Sequence, residues 1–247
     1  DPELDCYLPR KVPHGQITVR PYFSKLTQAW RTVHVYTPPS YDEDHDQRYP
    51  VLYLQHGSGE NQTSWGNQGR AGTILDNLIA EGQCEPMIIV MEEGYAYEPN
   101  ADTDERGRRE NSFERLLVEE TIPLIESHYR VVADNDHRAI AGLSMGGGQA
   151  LRIGLGNLDT FSYLGCFSSA ARDIGDLIPD ASAVNDSLKL FWIGCGTEDF
   201  VYPRSVGVKD ALREAGVSHE FYPHPGTHEW QSWRLHLSLF APKLFKP

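Results

Sequence analysis

Short apolar runs without polar alternation constrain the fold of this 247-residue chain more than any other feature. They lie at Val51–Leu54, Met87–Met91, Ala139–Ala141, Tyr163–Phe167 and Leu190–Ile193. Strands that are buried on both faces need such runs, whereas strands with one exposed face alternate polar and apolar residues. Segments with helical spacing separate the runs, at Thr73–Ala80, Phe113–His128, Met145–Leu155 and Val206–Ala215. This order predicts right-handed crossovers and a parallel sheet.

The first fifty residues follow a different pattern from the rest of the chain. The segments QITVRPYF and WRTVHVYT alternate polar residues with apolar or aromatic ones, as antiparallel strands with one exposed face do. The whole pattern therefore predicts an α/β fold, with a mostly parallel central sheet, antiparallel N-terminal strands and helices on both faces. Because no repeat or linker interrupts the pattern, we expect residues 1–247 to form a single domain.

Composition argues against several classes of partner. The formal net charge of −13 disfavours nucleic acid and anionic membrane surfaces, and no run of about 18 apolar residues could span a bilayer. The four cysteines are Cys6, Cys84, Cys166 and Cys195. Their scattered spacing favours neither a disulfide framework nor a zinc site. We therefore expect no metal ion and no organic cofactor.

The motif Gly142-Leu143-Ser144-Met145-Gly146 lies between the apolar run RAIA and the helical segment GGGQALRIGL. A G-x-S-x-G sequence at a strand–turn–helix junction is typical of a nucleophile elbow, in which the serine oxygen projects above the sheet. Small flanking residues permit the sharp turn, and the helix N-terminus stabilises developing negative charge. We therefore predict Ser144 as a catalytic nucleophile. The alternative is a glycine-rich turn in which Ser144 only caps the helix.

A serine nucleophile needs a base and an acid further along the chain. His228 lies on the loop PHPGTHEW, between the last predicted strand and the last predicted helix, and is the preferred base; His224 is the alternative. The run LKLFWIGCG is followed by two acids, of which we prefer Asp199 to Glu198, since the shorter carboxylate is the commoner partner. The order Ser144, Asp199, His228 is that of an α/β-hydrolase.

Backbone N–H groups must stabilise the oxyanion that forms when a serine attacks a carbonyl group. One predicted donor is the N–H that follows the nucleophile, from Met145. The segment VLYLQHGSGEN joins an early predicted strand to a loop whose glycines let N–H groups face a ligand, and it predicts Ser58 N–H as the second donor. We expect His56 to be a structural hydrogen-bonding residue rather than a second base.

The chain resembles family 1 of the carbohydrate esterases, which includes feruloyl and acetyl xylan esterases, in four segments: HGSGENQTSW, IAGLSMGGGQA, GCGTEDF and GTHEWQSWR. The resemblance covers nearly the whole chain and implies the α/β-hydrolase fold, with nucleophile, acid and base at Ser144, Asp199 and His228. It also implies a domain excised from a longer, secreted or periplasmic protein. Glu60 departs from the family, in which a second glycine is common at this position.

The resemblance implies that the chain hydrolyses hydroxycinnamoyl (feruloyl) esters of plant cell-wall arabinoxylan. The expected partner is therefore a feruloylated or acetylated polysaccharide or oligosaccharide. A flat acyl group needs an apolar slot, which aromatic faces provide well. The loops expected around Ser144 supply four candidate substrate-binding residues: Trp65, Tyr97, Phe200 and Trp230. Tyr97 lies near the start of the long polar stretch Tyr95–Asn111, which is typical of a functional or mobile loop, the alternative being a solvated surface excursion. The alternatives are a short-acyl esterase, such as an acetyl xylan esterase, and an inactive carbohydrate-binding module.

Overall fold

The computed structural model describes residues 5–102, 110–171, 174–178 and 180–246 of the chain. In these ranges eight strands, β1 to β8, form one sheet: Gln16–Ser24, Ala29–Thr37, Val51–Gln55, Ile88–Met91, Arg138–Leu143, Tyr163–Phe167, Leu190–Gly196 and Glu220–His224. Their spatial order is β1-β2-β4-β3-β5-β6-β7-β8. Strand β2 pairs antiparallel with β1 and β4, whereas all other pairs are parallel. The predicted sheet, including its antiparallel start, is confirmed.

Eight α-helices, α1 to α8, lie between or after the described strands: Ser64–Asn67, Ala71–Ala80, Phe113–Arg115, Ile122–His128, Met145–Gly156, Ala181–Ser187, Tyr202–Ala215 and Trp230–Phe240. Helices α3 and α4 are the ends of one continuous helix, joined by a π-helical segment at Leu116–Thr121. This wide turn lies just before Pro123, which has no N–H to donate to the carbonyl group one turn earlier. None of the described helices is long and apolar enough to cross a bilayer.

The sheet is buried on both faces, which explains the apolar runs. In β3, Val51 and Tyr53 belong to one core with residues of α4, α5 and α7, while Leu52 and Leu54 belong to the other core with residues of α2 and α8. None of these four side chains is more than 3% exposed. Because both faces of the strand need apolar side chains, its sequence cannot alternate.

Several parallel strands end at the same edge of the sheet. The register pairs Gln55 at the end of β3 with Gly142 near the end of β5, and Gly196 at the end of β7 with His224 at the end of β8. The loops after these strands therefore gather above the carboxyl edge, where ligands of open α/β sheets bind. Ser144 follows β5 directly and lies among these loops.

Candidate active site

Ser144 stands at a sharp turn between β5 and α5. Its backbone has φ 52° and ψ −112°, a conformation that costs a non-glycine residue energy. The turn requires glycine on both sides, because a Cβ at Gly142 would lie 2.5 Å from the backbone of Gly146, and one at Gly146 would lie 2.4 Å from the carbonyl oxygen of His56. The Ser144 side chain makes no capping hydrogen bond to α5. The geometry therefore gives no support to a role as a helix cap.

Three side chains from three separate loops form one chain of hydrogen bonds. His228 Nε2 lies 3.0 Å from Ser144 Oγ, and His228 Nδ1 lies 2.9 Å from each carboxylate oxygen of Asp199. Since an ionised carboxylate can only accept, Nδ1 carries the proton and donates it to Asp199. Nε2 is then free to accept from the Ser144 hydroxyl group. The arrangement can carry a proton from the serine to the imidazole.

The Asp199 carboxylate is a buried charge. The residue is 3% exposed, whereas the neighbouring Glu198 is exposed. Burial raises the pKa of the Asp199 carboxyl, but hydrogen bonds from His228 and from the backbone N–H of Val201 outweigh it, so that the pKa lies below its ordinary value. Asp199 therefore stays ionised at neutral pH, where its charge stabilises a proton on the facing imidazole.

His224, the alternative base, makes its hydrogen bonds away from Ser144. Its Nδ1 lies 2.7 Å from the carbonyl oxygen of Pro225, and its Nε2 lies 2.9 Å from Nε2 of His236 in α8. Nδ1 therefore donates to Pro225, and Nε2 accepts the N–H of His236. Burial, and in addition the neighbouring His224, hold the pKa of His236 well below its ordinary value. The two rings form a hydrogen-bonded pair between the last strand and the last helix.

The loop of residues 57–63, which we term the oxyanion loop, packs against the nucleophile turn. A Cβ at Gly57 would lie 3.6 Å from Cβ of Ser144, so the two backbones are close neighbours. Ser58 and Met145 line the same cleft as Ser144. The two residues that were predicted to donate backbone N–H groups therefore both line the cleft at the nucleophile.

Two side chains fix the start of the oxyanion loop. Glu60 Oε2 accepts a hydrogen bond of 2.8 Å from the N–H of Gly57. The residue that departs from the family pattern therefore forms a hydrogen bond within the loop itself. His56 is 1% exposed. Its Nδ1 donates to the carbonyl oxygen of Gly57 at 2.8 Å, and its Nε2 accepts from the N–H of Gly94 at 2.8 Å. The expected structural role of His56 agrees with these bonds, since both ring nitrogens are engaged with backbone groups.

A cleft of about 640 Å³ opens beside Ser144. Its apolar lining includes Phe113, Ile153, Ala170 and Ala171. Its polar lining includes Asn111, Glu114, Gln149 and Arg152. Asn111 Nδ2 and Gln149 Nε2 both donate to the carbonyl oxygen of Gly94, at 2.8 and 2.9 Å, which joins the wall to the loop after β4. The sequence analysis missed these residues, although the four-residue spacing of Gly148 and Arg152 after Ser144 places them on one face of α5.

Of the two tryptophans predicted to bind substrate, Trp65 is buried, whereas Trp230 is half-buried and stays a prediction. Trp65 is 1% exposed, and its indole N–H donates to the carbonyl oxygen of Gln55 at 2.9 Å. This burial contradicts the prediction of Trp65 as a ligand contact, because the whole ring packs in the core and is not accessible to a ligand. Trp230 packs edge-on against Trp65 and Trp233, with ring centroids 5.1 and 5.2 Å apart. Trp233 in turn lies 5.0 Å from the His228 ring, so the cluster supports the imidazole from behind.

The other two predicted contacts are accessible. Phe200 is 71% exposed, and its ring centroid lies 4.4 Å from that of His228. Tyr97 is 37% exposed and stacks on Tyr95 at 6.5 Å. Both stay predictions as substrate-binding residues. The long polar loop Tyr95–Asn111, which was predicted to be functional or mobile, includes residues 103–109, which lie outside the described ranges.

Within the described ranges, no three His, Cys, Asp or Glu side chains are arranged to hold a metal ion. The four cysteines carry free thiols. The chemistry that the site offers is that of a nucleophile with an acid–base partner, Ser144 and His228.

Comparison with known sequences places the chain among esterases. The family model described as putative esterase matches residues 24–244. An endo-1,4-β-xylanase/feruloyl esterase from Xylanibacter ruminicola is 38% identical over 250 residues, which cover 99% of this chain and 33% of the relative. The chain therefore spans about a third of the length of that relative.

Solved structures of esterases are also similar to this chain. A ferulic acid esterase has a TM-score of 0.82 at 29% identity, covering 93% of this chain and 97% of that one. A CE1 ferulic acid esterase from Anaeromyces mucronatus, solved in complex with ferulic acid, has a TM-score of 0.84 at 25% identity, covering 96% and 93%. These similarities confirm the predicted resemblance to family 1 of the carbohydrate esterases and the α/β-hydrolase fold.

Proposed function

Since the chain belongs to the family of putative esterases, and thus to the carboxylic ester hydrolases, we propose that it hydrolyses feruloyl esters of plant cell-wall arabinoxylan with Ser144, His228 and Asp199 as its triad. The observation that carries the proposal is the hydrogen-bonded chain through these side chains, with distances of 3.0 and 2.9 Å. A relative described as a xylanase/feruloyl esterase and a similar structure solved with ferulic acid support the choice of acyl group.

In the acylation step, Ser144 Oγ attacks the ester carbonyl carbon while its proton passes to His228 Nε2. The imidazolium is stabilised by the buried Asp199 carboxylate. Backbone N–H groups of Ser58 and Met145 donate to the oxyanion of the tetrahedral intermediate. His228 then returns the proton to the departing sugar oxygen, and the broken ester bond leaves the feruloyl group on Ser144.

In the deacylation step, a water molecule takes the place of the sugar. His228 accepts a proton from this water as its oxygen attacks the acyl carbon, and the same N–H groups stabilise the second oxyanion. Collapse of the intermediate releases ferulate, while the proton returns from His228 to Ser144 Oγ. The ester and water are the only reactants that the balance requires.

The acyl group is assigned to the cleft beside Ser144. A volume of about 640 Å³ lies within the range of pockets that enclose a small ligand. Phe113 and Ile153 give it an apolar wall for a ring, and Asn111 and Gln149 are polar groups suited to a phenol. An acetyl group would leave most of this volume unfilled, which favours the larger acyl group.

The substrate polymer also bears on where the enzyme acts. Arabinoxylan is part of the plant cell wall and is too large to enter a cell. The proposal therefore includes a secreted or periplasmic location, with feruloylated polysaccharide or oligosaccharide as the partner.

A hydrolysis panel tests the proposal against the short-acyl alternative. We expect a higher kcat/KM for methyl ferulate than for acetylated xylan, with p-nitrophenyl acetate as a measure of general esterase activity. Ready deacetylation of xylan with no release of ferulate would replace the feruloyl assignment with the short-acyl one.

A fluorophosphonate probe tests whether the chain is an enzyme at all. We expect covalent labelling of the wild type and none of Ser144→Ala, because the probe reacts with an activated serine. An unlabelled wild type would favour the inactive carbohydrate-binding module.

A further inference from the structure

A second cleft lies on the β1–β2 hairpin, beside the oxyanion loop. Its volume is about 440 Å³, and we refer to it as the hairpin cleft; it is lined by Pro21, Trp30, Arg31, Thr32, Gln62 and Glu93. Strand β2 runs antiparallel to β4, with His34 opposite Met91, so the residues before His34 extend past the carboxyl end of β4. The hairpin cleft is therefore at the same sheet edge as Ser144, with the oxyanion loop between them.

The feature that distinguishes this cleft is an exposed indole. Trp30 is 74% exposed, more than any other large apolar side chain in the described ranges. Phe23, its partner across the hairpin, lies 5.8 Å away with the ring planes at 78°, which restricts the indole on one side. Phe23 is itself 48% exposed, so the two rings form an apolar patch, and an exposed apolar patch with polar residues at its rim is typical of a binding surface.

Hydrogen-bonding groups surround the indole. Gln62 Nε2 donates to Thr32 Oγ1 at 2.7 Å, which leaves the Thr32 hydroxyl hydrogen and the Gln62 carbonyl oxygen available. Glu93 Oε1 accepts from the N–H of Tyr95 at 3.3 Å, which leaves the other carboxylate oxygen as an acceptor. The cleft therefore combines a flat apolar face with at least one donor and two acceptors.

Charge narrows the class of ligand. Arg31 is 9% exposed at its side chain and pairs with the buried Glu92 at 3.2 Å, so its charge is already neutralised. With a carboxylate in the cleft and a net charge of −13 on the whole chain, an anionic ligand would be repelled. A neutral ligand with a ring face and several hydroxyl groups suits these partners, and a pyranose has both.

We propose that the hairpin cleft is a sugar-binding subsite, in which a neutral sugar ring of the polysaccharide main chain stacks on Trp30 while the ester-bearing unit lies at Ser144. The inference rests on the proposed function, since that function supplies the polysaccharide. It adds a means of holding the polymer across the oxyanion loop, independent of the acyl cleft.

The test compares Trp30→Ala with Val19→Ala, because Val19 is 53% exposed on the same face of the hairpin but outside the cleft. Affinity electrophoresis in gels that contain unesterified arabinoxylan measures sugar binding without catalysis. We expect roughly tenfold weaker retention for Trp30→Ala, the size of effect of one stacking contact. Trp30→Phe should keep part of the affinity, and Val19→Ala should equal the wild type.

A kinetic ratio connects the subsite to the reaction. For each variant, kcat/KM on a feruloylated arabinoxylan oligosaccharide is divided by kcat/KM on methyl ferulate, which has no sugar. We expect this ratio to fall roughly tenfold in Trp30→Ala, through KM, and to equal the wild-type value in Val19→Ala.

Two results would overturn the subsite. One is equal retention of wild type and Trp30→Ala in the arabinoxylan gel; the other is a shift of Trp30→Ala to a smaller assembly in sedimentation, which would make the hairpin a contact between copies. Failure of the proposed function has a different signature. Methyl ferulate would then stay intact in the wild type, while the Trp30-dependent retention by arabinoxylan would persist.

Discussion

At the scale of single residues, the candidate site depends on a charge that is held away from water. Asp199 is buried, and its pKa nevertheless lies below the ordinary value because His228 and the Val201 N–H outweigh the cost of burial. The carboxylate fixes the proton of the imidazole on Nδ1, so that Nε2 can accept from Ser144. A substitution that removes the Asp199 charge but keeps the shape of the side chain should therefore change the tautomer of His228 and lower activity.

We predict that Asp199→Asn lowers kcat for methyl ferulate by about 10³- to 10⁴-fold, because an amide N–H₂ facing Nδ1 favours the tautomer that cannot accept from serine. Glu198→Gln is the matched control and should keep nearly full activity, since that side chain is exposed. Steady-state kinetics with a melting curve for each variant make the measurement. Wild-type activity of Asp199→Asn together with an inactive Glu198→Gln would move the acid to Glu198.

Sequence reasoning at this scale predicted which three side chains meet, because their chemistry and their positions in the chain coincide. Ser144 and Asp199 follow predicted apolar runs and His228 follows the last predicted strand, and parallel strands bring such ends together. It failed for Trp65, because a loop tryptophan that fills the core and one that faces a ligand have the same local sequence. Phe113 was missed since its approach to Ser144 depends on how the helix crosses the sheet.

At the scale of elements, a hydrogen bond between two of its own residues helps to hold the start of the oxyanion loop. Glu60 accepts from the N–H of Gly57 at 2.8 Å, one residue before Ser58. We predict that Glu60→Ala lowers kcat by about fivefold, equivalent to the roughly 1 kcal/mol of a lost hydrogen bond, with little change in KM. Glu60→Gln keeps an acceptor in the same position and should recover most of the rate. Equal kcat in wild type and Glu60→Ala would mean that the loop holds its conformation without this bond.

The elements themselves were largely predictable, with one irregularity that was not. Periodicity predicted a single helix over Phe113–His128, and the structure has one, but its middle is the π-helical segment Leu116–Thr121. Pro123 marks a break in the sequence, yet a proline can end a helix, kink it or widen one turn. Which of these occurs depends on the packing of the helix against the sheet, which local sequence does not specify.

At the scale of the whole molecule, acid sensitivity follows from the buried pair His224–His236. Since the Nε2–H of His236 already donates to His224, an added proton would go to His236 Nδ1, which is buried and has no hydrogen-bond partner among the described residues. In the unfolded chain His236 accepts a proton near the ordinary pKa of about 6.5, whereas in the folded chain its pKa lies well below that value. The unfolded state therefore binds more protons at low pH, and the free energy of unfolding falls as the pH drops.

We predict that the free energy of unfolding decreases from about pH 7.5 to 5, by as much as about 1.4 kcal/mol per pH unit for His236. His236→Gln can still donate to His224 but does not titrate. The free energy of unfolding of this variant should therefore depend less steeply on pH, by up to the contribution of one bound proton. The lowered pKa of Asp199 adds to acid sensitivity only below about pH 4, the ordinary range of that carboxyl. Urea unfolding at several pH values measures both slopes, and identical slopes would show that His236 is protonated in the folded protein.

The overall architecture was the most predictable level of all. Runs such as Val51–Leu54 must be buried on both faces, and that requirement leaves a sheet with helices on each side as the solution. The hairpin cleft could not be predicted in the same way. The cleft forms because Gln62 and Glu93, from two separate loops, lie beside Trp30 on a strand. No local sequence pattern indicates that these three residues are neighbours.

The rate of ferulate release from methyl ferulate, by wild type and Ser144→Ala, is the most direct test of the central claim. The account predicts release by the wild type and a loss of about 10⁴-fold or more in kcat for Ser144→Ala, since triad members act as a unit. The melting temperatures of the two proteins should be similar, because the Ser144 hydroxyl contributes no helix cap. A Ser144→Ala variant that keeps more than a few per cent of the wild-type rate, or a wild type that leaves methyl ferulate intact, would contradict the claim.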